Sequence, residues 1–166
     1  MDYFLNQYKS FYYKNESIEL NPDLIYLTQT DTTVGFLSSN DKKLSGAKQR
    51  DPNQKTLQVL SNYKTLTNLV RVPTKHKKFI RRAKNSTIIY PNSLAFRVVE
   101  QNSQHQNFLK KFTQMYSTSA NKTKNNYNAN YAMNNSDVVV YSKEEFREKK
   151  ASNIYKVNKL KIKKIR

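Results

Sequence analysis

Three short stretches of this sequence concentrate hydroxyls and cations of the kind that handle a negatively charged ligand. Thr28, Thr30, Asp31, Thr32 and Thr33 crowd the run TQTDTT. Lys48 and Arg50 stand one residue apart in AKQRDPNQKTL, and Lys55 follows the Asp51-Pro52-Asn53 turn. In YSTSANKT, the residues Ser117, Thr118, Ser119, Ala120 and Asn121 come in succession. Short hydroxyl and amide side chains orient oxyanions by hydrogen bonds, and Lys and Arg make the stronger charge-assisted kind. An enzyme built from such groups works by positioning and positive charge. Taken singly, each stretch has a plain explanation: a solvated strand end, a chance pairing of cations in a basic chain, a polar turn. Taken together and in this order, each flanks an expected strand, and ligands of open α/β sheets bind beyond strand ends.

Other chemistries lack their residues. His76 and His105 are far apart, with no second His, Cys or carboxylate at ligand spacing, so both are expected to be solvent-exposed and no metal site is expected. Gly35 and Gly46 are the only glycines, too few for a glycine-rich phosphate cradle, and no G-x-S-x-G elbow occurs. The absence of cysteine excludes disulfides, zinc-thiolate sites and thiol nucleophiles, and fits a reducing cytosol. No apolar run approaches the roughly 20 residues that span a bilayer. The start, MDYFLNQYKSFYYKN, lacks the basic and then apolar layout of a secretory signal. A cytoplasmic protein without membrane association is expected.

The elements that must position these groups can be read from apolar runs and punctuation. DLIYLT, TLQVL, STIIY, LAFRVVE and DVVVY read as strands, and NIYKVNKLKIKKIR alternates enough to supply the last ones. Asp41 to Arg50 reads as a short helix capped by Asn40 or Asp41. Ser61 is expected to cap a second, with Tyr63, Leu66, Leu69 and Val70 on its apolar face. KHKKFIRRAK is a very basic helix after Pro73, and Phe108, Leu109, Phe112 and Met115 predict a helix over residues 103–116 whose stripe is core. Residues 122–136, rich in Asn and Lys, are expected to form a surface loop, and KEEFREKK a short charged helix. Residues 1–20 read as an aromatic-rich N-terminal extension, and residues 21–166 as the domain proper. Two strand pairs stand too close in sequence for a helical crossover, which predicts a mixed sheet within one α/β domain.

At 166 residues the chain suits one domain with one core. It carries 30 Lys and Arg against 12 Asp and Glu, a formal charge of +18. That balance predicts an anionic partner: nucleic acid, a nucleotide or an acidic surface. The surplus of Lys, Asn, Tyr and Ile is also what an A/T-rich genome imposes on any protein.

The order of the three stretches carries a resemblance. QTDTTVGF resembles the P-T-[DE]-T-V-Y-G-L signature of the YrdC/TsaC family, the threonylcarbamoyl-AMP synthases of tRNA modification. AKQRDPNQKTLQVL is similar to that family's K-x-R-P…K-P-L segment, with Lys48, Arg50, Lys55 and Leu57 in register. NSTIIY retains the Thr87 of P-G-P-x-T, SLAFRVVE resembles S-V-A-V-R-V-P through Arg97, and YSTSANKT closely matches S-T-S-A-N-x-S. KKASNIYKV and KIKKIR resemble P-S-T-I-V-D-L and the closing I-L-R. The likeness runs in order from about Leu24 to the last residue. The sequence departs from the pattern at Val34, at Ala83-Lys84-Asn85, at Asp51, at Thr123-Lys124, and at Ser152-Asn153.

The resemblance implies a YrdC-like twisted open mixed sheet with flanking helices and a basic concave face. It implies ATP, L-threonine and bicarbonate as substrates, threonylcarbamoyl-AMP and pyrophosphate as products, and partner proteins that pass the group to tRNA. On that footing Lys48 and Arg50 would be catalytic, neutralising the triphosphate together with Lys55. Thr30 and Thr32 would hold threonine and its carbamate, and Ser117, Ser119 and Asn121 the nucleotide phosphate, with Arg97 and Ser152 completing the site. Mg²⁺ would come with the phosphates, held mostly by water and substrate oxygens. The alternative is a YrdC-fold protein without catalysis that binds RNA, such as tRNA or double-stranded RNA, or nucleotide through its basic concave surface.

Overall fold

The computed structural model describes residues 20–141 and 145–166. The extension expected over residues 1–20 therefore lies outside it except for Leu20, which packs against the core.

The TQTDTT stretch joins two strands. β1 (Tyr26–Gln29) and β2 (Val34–Ser38) pair antiparallel, with Gln29 opposite Val34 and Thr28 opposite Gly35. β2 has no counterpart among the sequence expectations. All five of its residues are buried, so the alternation that marks a half-exposed strand is missing, and Gly35 lowers its strand propensity. α1 (Asp41–Lys48) follows, capped by Asn40, whose side chain accepts from the Lys43 amide. β3 (Leu57–Leu60) leads to α2 (Tyr63–Leu69). Its cap is Asn62 rather than the expected Ser61, which is buried.

A single 3₁₀ turn (Thr74–His76) opens α3 (Lys77–Arg82), and the hairpin of β4 (Ser86–Ile89) and β5 (Ala95–Val98) turns at Pro91-Asn92. The helix expected over residues 103–116 is shorter. α4 spans Gln104–Leu109, Thr113 takes a left-handed φ of 70°, and β6 (Gln114–Ser119) then runs back through the sheet. Phe108, Leu109, Phe112 and Met115 do share one core cluster, so a stripe at helical spacing was assembled from a helix, a turn and a strand.

The expected surface loop over residues 122–136 contains α5 (Ala129–Asn134), capped by Asn128 and anchored by the fully buried Ala132. An Asn-rich composition hides a helix that meets the core through Ala132, Tyr131 and Met133. β7 (Val138–Val140), β8 (Asn153–Val157) and β9 (Ile162–Lys164) complete the strands. Of the helix expected over KEEFREKK, residues 145–150 form no helix, and the start lies outside the described residues.

Among the described residues the nine strands form one open mixed sheet, in the order β7-β1-β2-β6-β3-β5-β4-β8-β9. Its interior is antiparallel from β1 through β6 to β3, and β3 and β5 are parallel. Side chains alternate across it. On one side Leu27, Val34, Phe36 and Val139 lie under Leu44 and Ala47 of α1 and Ala132 of α5. On that same side Leu60, Ile88, Phe96 and Val157 lie under Leu66 of α2 and Ile80 of α3. The other side has α4, whose Phe108 and Leu109 cover Tyr26, Leu37, Val59 and Met115. The Tyr26 ring lies 5.3 Å from the rings of both Phe108 and Phe112. Burying each such side chain contributes about 1.5–3 kcal/mol.

α4 covers only part of its side. Ser117 is opposite Leu37, and Arg97 opposite Val59, so both project from the α4 side beyond the reach of that helix. Among the described residues the other four α-helices thus leave this side of the sheet for polar chemistry.

Candidate functional site

Arg97 is the hub of the polar side. It sits near the middle of the sheet on β5, with its side chain 8% exposed. Its Nη1 donates to Thr32 Oγ1 at 2.9 Å, and its Nη2 donates to Ser152 Oγ at 2.9 Å and Thr87 Oγ1 at 3.1 Å. Nε reaches Thr87 Oγ1 at 3.3 Å, and the Thr87 and Ser152 hydroxyls are 3.2 Å apart. The planar guanidinium fork thereby joins the turn after β1, the start of β4 and the start of β8.

The Thr30–Thr33 turn is tied by one hydroxyl. Thr30 Oγ1 donates to Thr33 O at 2.6 Å and accepts from the amides of Thr32 and Thr33 at 3.2 and 3.1 Å. This is the local hydroxyl-to-backbone bonding that makes Ser and Thr favour turns. The turn aims Asp31 inward, with Oδ1 3.4 Å from Arg97 Nη1 and 3.3 Å from His105 Nδ1. Burial raises the affinity of the Asp31 carboxylate for a proton. The hydrogen bond to His105 and the charges of His105 and Arg97 outweigh it, and hold Asp31 below its ordinary pKa. Burial likewise pulls the Arg97 pKa down, opposed by Asp31.

His105 and His76, expected to be exposed, are both buried, at 3% and 6%. His105 is one and the same stripe with Phe108 and Leu109, three and four residues on, and His76 stands one turn before the buried Ile80. That spacing is the signal that places each ring inside. His105 and Asp31 are the members of the network to which sequence reasoning gave no role.

A second cluster forms where α1 ends. Gln49 terminates that helix in a left-handed conformation, φ 50°, and Lys48 in its last turn extends to the end of β6. Lys48 Nζ donates toward Ser119 Oγ at 2.8 Å, Asn121 Oδ1 at 3.0 Å, Ser119 O at 3.1 Å and Asn121 O at 3.2 Å. An ammonium has three protons for these four acceptors, so each bond is readily exchanged for another oxygen. Thr123 closes the corner, its amide and hydroxyl reaching Lys48 O at 3.1 and 2.9 Å. Burial first, and the nearby Arg50 charge second, lower the Lys48 pKa to about 8.

The other two cations of that stretch do not reach this corner. Arg50, with a side chain 7% exposed, is held by Asp41, Ser45 and the Thr56 hydroxyl, which also bonds Asp41. Lys55 is exposed and donates to Asn92 O at 3.2 Å.

The two clusters adjoin through Gly35. It pairs with Ser119 across β2 and β6, and a Cβ placed on it would lie 2.9 Å from Thr30 Cγ2 and 3.1 Å from Thr118 O. The Thr30 turn therefore lies directly against the strand ends that carry Ser119. Ser117, buried, is on the same side one pair further in.

No protein-family model and no curated protein matches the sequence. Solved structures do match in fold. A doubly substituted P. abyssi Sua5 superposes with a TM-score of 0.73 at 12% identity, covering 87% of this chain and 52% of that one. P. abyssi Sua5 complexed with L-threonine gives 0.70 at 12% identity, covering 87% and 50%. E. coli YciO gives 0.65 at 10% identity, covering 87% and 82%. The chain thus spans about half the length of the Sua5 structures and most of YciO. At such identities a likeness speaks for architecture, and the architecture is the expected one: this chain has the YrdC-like fold.

Proposed function

We propose that the protein is a threonylcarbamoyl-AMP synthase. It condenses L-threonine with bicarbonate to the N-carboxylated amino acid and water, and joins that carbamate to the α-phosphorus of ATP with departure of pyrophosphate. The observation that carries this reading is the Lys48 corner. A cation from one stretch, and Ser119 and Asn121 from another, meet against the Thr30 turn that a third stretch supplies. The L-threonine bound to a protein of the same fold supports the amino acid assignment.

In this reading Lys48 exchanges its carbonyl partners for phosphate oxygens and stabilises the charge that moves onto pyrophosphate. Ser117, Ser119 and Asn121 orient the nucleotide phosphates by hydrogen bonds. Thr30 and Thr32 hold the threonine and its carbamate, while Arg97 supplies the cation for the amino acid carboxylate and fixes Thr32, Thr87 and Ser152 around it. Arg50 acts from behind, its charge adding to the larger effect of burial in lowering the Lys48 pKa to about 8. Lys55 is a rim cation that leaves Asn92 for the outer phosphates. Mg²⁺ would come bound to ATP, held by phosphate and water oxygens, and would add positive charge beside Lys48. Partner proteins then carry the threonylcarbamoyl group to tRNA.

Pyrophosphate release from ATP tests this directly. It is expected to require both L-threonine and bicarbonate, and to fall when L-serine, which lacks the methyl group, replaces threonine. Release that is indifferent to the amino acid would remove the assignment.

A further inference from the structure

On the helix side of the sheet stand cations that the proposed reaction does not use, Lys77, Lys78 and Arg82 of α3 and Lys164 of β9. Residues 75–84 carry six Lys or Arg and no Asp or Glu, and residues 156–166 carry another six and no acid. The fold brings these two stretches together. The Phe79 ring on α3 meets the Tyr155 ring on β8 edge-on at 5.0 Å, and Ile80 and Val157 share one core cluster. Lys164 on β9 is the cross-strand partner of Tyr155 and so projects toward α3. Among the described residues, Lys77, Lys78, Arg82 and Lys164 are exposed and stand in no ion pair.

The arrangement works against the isolated protein. Lys77 with Arg81, and Lys78 with Arg82, are like charges one helical turn apart, which destabilise a helix. Lys77 and Lys78 stand in its first turn with no acidic residue there, opposing the backbone dipole. Lys156 and Lys163, directly opposed across β8 and β9, alternate to the Arg97 side and take no part in this patch. Edge lysines on β9 discourage pairing with another chain, but that role does not extend to α3. A polyanion laid over α3 and Lys164 relieves the repulsions along α3.

We infer that α3 and the β8–β9 hairpin form a docking surface for the phosphate backbone of a structured RNA, separate from the Arg97 side of the sheet. The patch is dominated by Lys, which is depleted from protein–protein interfaces and well suited to phosphates. The choice of RNA among polyanions rests on the proposed function, whose product is consumed at tRNA. Docking there would leave the substrate side of the sheet open while the RNA is held.

The experiment is binding of a fluorescein-labelled RNA duplex, followed by anisotropy across a salt series, for the full chain and for the triple variant Lys78→Ala/Arg82→Ala/Lys164→Ala. Roughly tenfold weaker binding is expected, with the slope of log affinity against log salt reduced by about 3. Thermal melting of the variant is expected to match or exceed that of the parent, because repulsion is removed. Unchanged affinity and slope in the folded variant overturn the inference, as does displacement of the duplex by polyglutamate at equal charge concentration, which marks a surface without preference for RNA. The triple variant is expected to keep the parent's rate of threonine-dependent pyrophosphate release. Patch-dependent RNA binding in a chain that releases no pyrophosphate would leave this surface standing and defeat the synthase reading alone.

Discussion

Lys48 gathers the two effects on which the site depends, burial and positive charge. Its pKa in the folded chain, about 8, lies below the ordinary 10.5, so between these values the unfolded chain binds more protons than the folded one. Stability is therefore expected to rise as pH increases through that window, a sign that chemical denaturation at pH 8 and pH 10 reads directly. In the proposed reaction activity runs the other way, since phosphate contact would need the ammonium. The profile of kcat/KM is expected to fall above about pH 8, and Lys48→Arg to move that limb upward by keeping the charge. Arg97 makes a different kind of contribution. Replacing it by Met leaves Asp31 buried without its guanidinium partner, which costs about 3–5 kcal/mol and lowers the melting temperature by roughly 10 °C. The sequence displayed Arg97, Thr32 and Ser152 by their place in collinear motifs, but not the bonds among them, because residues so far apart meet only once the sheet order is set. Asp31 and His105 show the same limit: their pairing joins a turn to a helix 74 residues away.

The elements place opposite demands on the two glycines. Gly35 is where the Thr30 turn presses on β2, and an added methyl would meet Thr30 Cγ2 at 2.9 Å and the backbone oxygen of Thr118 at 3.1 Å. Gly35→Ala is expected to cost about 1–3 kcal/mol and to raise the KM for threonine by displacing the turn. Gly46, inside α1, has nothing within 4 Å of such a methyl. Gly46→Ala is expected to stabilise the protein by about 0.5–1 kcal/mol, measured by denaturant unfolding, with activity kept. Legibility of the elements followed the same physics. DVVVY, STIIY and TLQVL declared themselves as strands because their apolar runs are bounded by polar punctuation. α4 was overextended because Met115 continues a helical stripe on the far side of a left-handed turn at Thr113. α5 was hidden because a helix with one buried alanine leaves almost no apolar period to read.

At the scale of the whole molecule, charge and sheet topology divide the protein into two working sides. Hydroxyls and Arg97 occupy the side that α4 half covers, and the Lys48 corner stands at its margin, where β2 and β6 end. Helices pack the other side, with the α3 and β8–β9 cations at its rim. Among the described residues no helix is long and apolar enough to cross a membrane. The order of motifs announced this sheet because each of them ends or begins a strand, and a shared strand order fixes where those ends meet. The +18 charge predicts an anionic partner without locating it, since composition carries no geometry. The account stands on the Lys48 corner acting in catalysis. The measurement that bears on it most directly is threonine-dependent pyrophosphate release by Lys48→Ala, with folding confirmed by an unchanged cooperative melt. A rate about 10²–10³-fold below that of the parent chain is expected, the loss typical of removing one donor from a developing anion. A folded Lys48→Ala protein that turns over at the parent rate would contradict it.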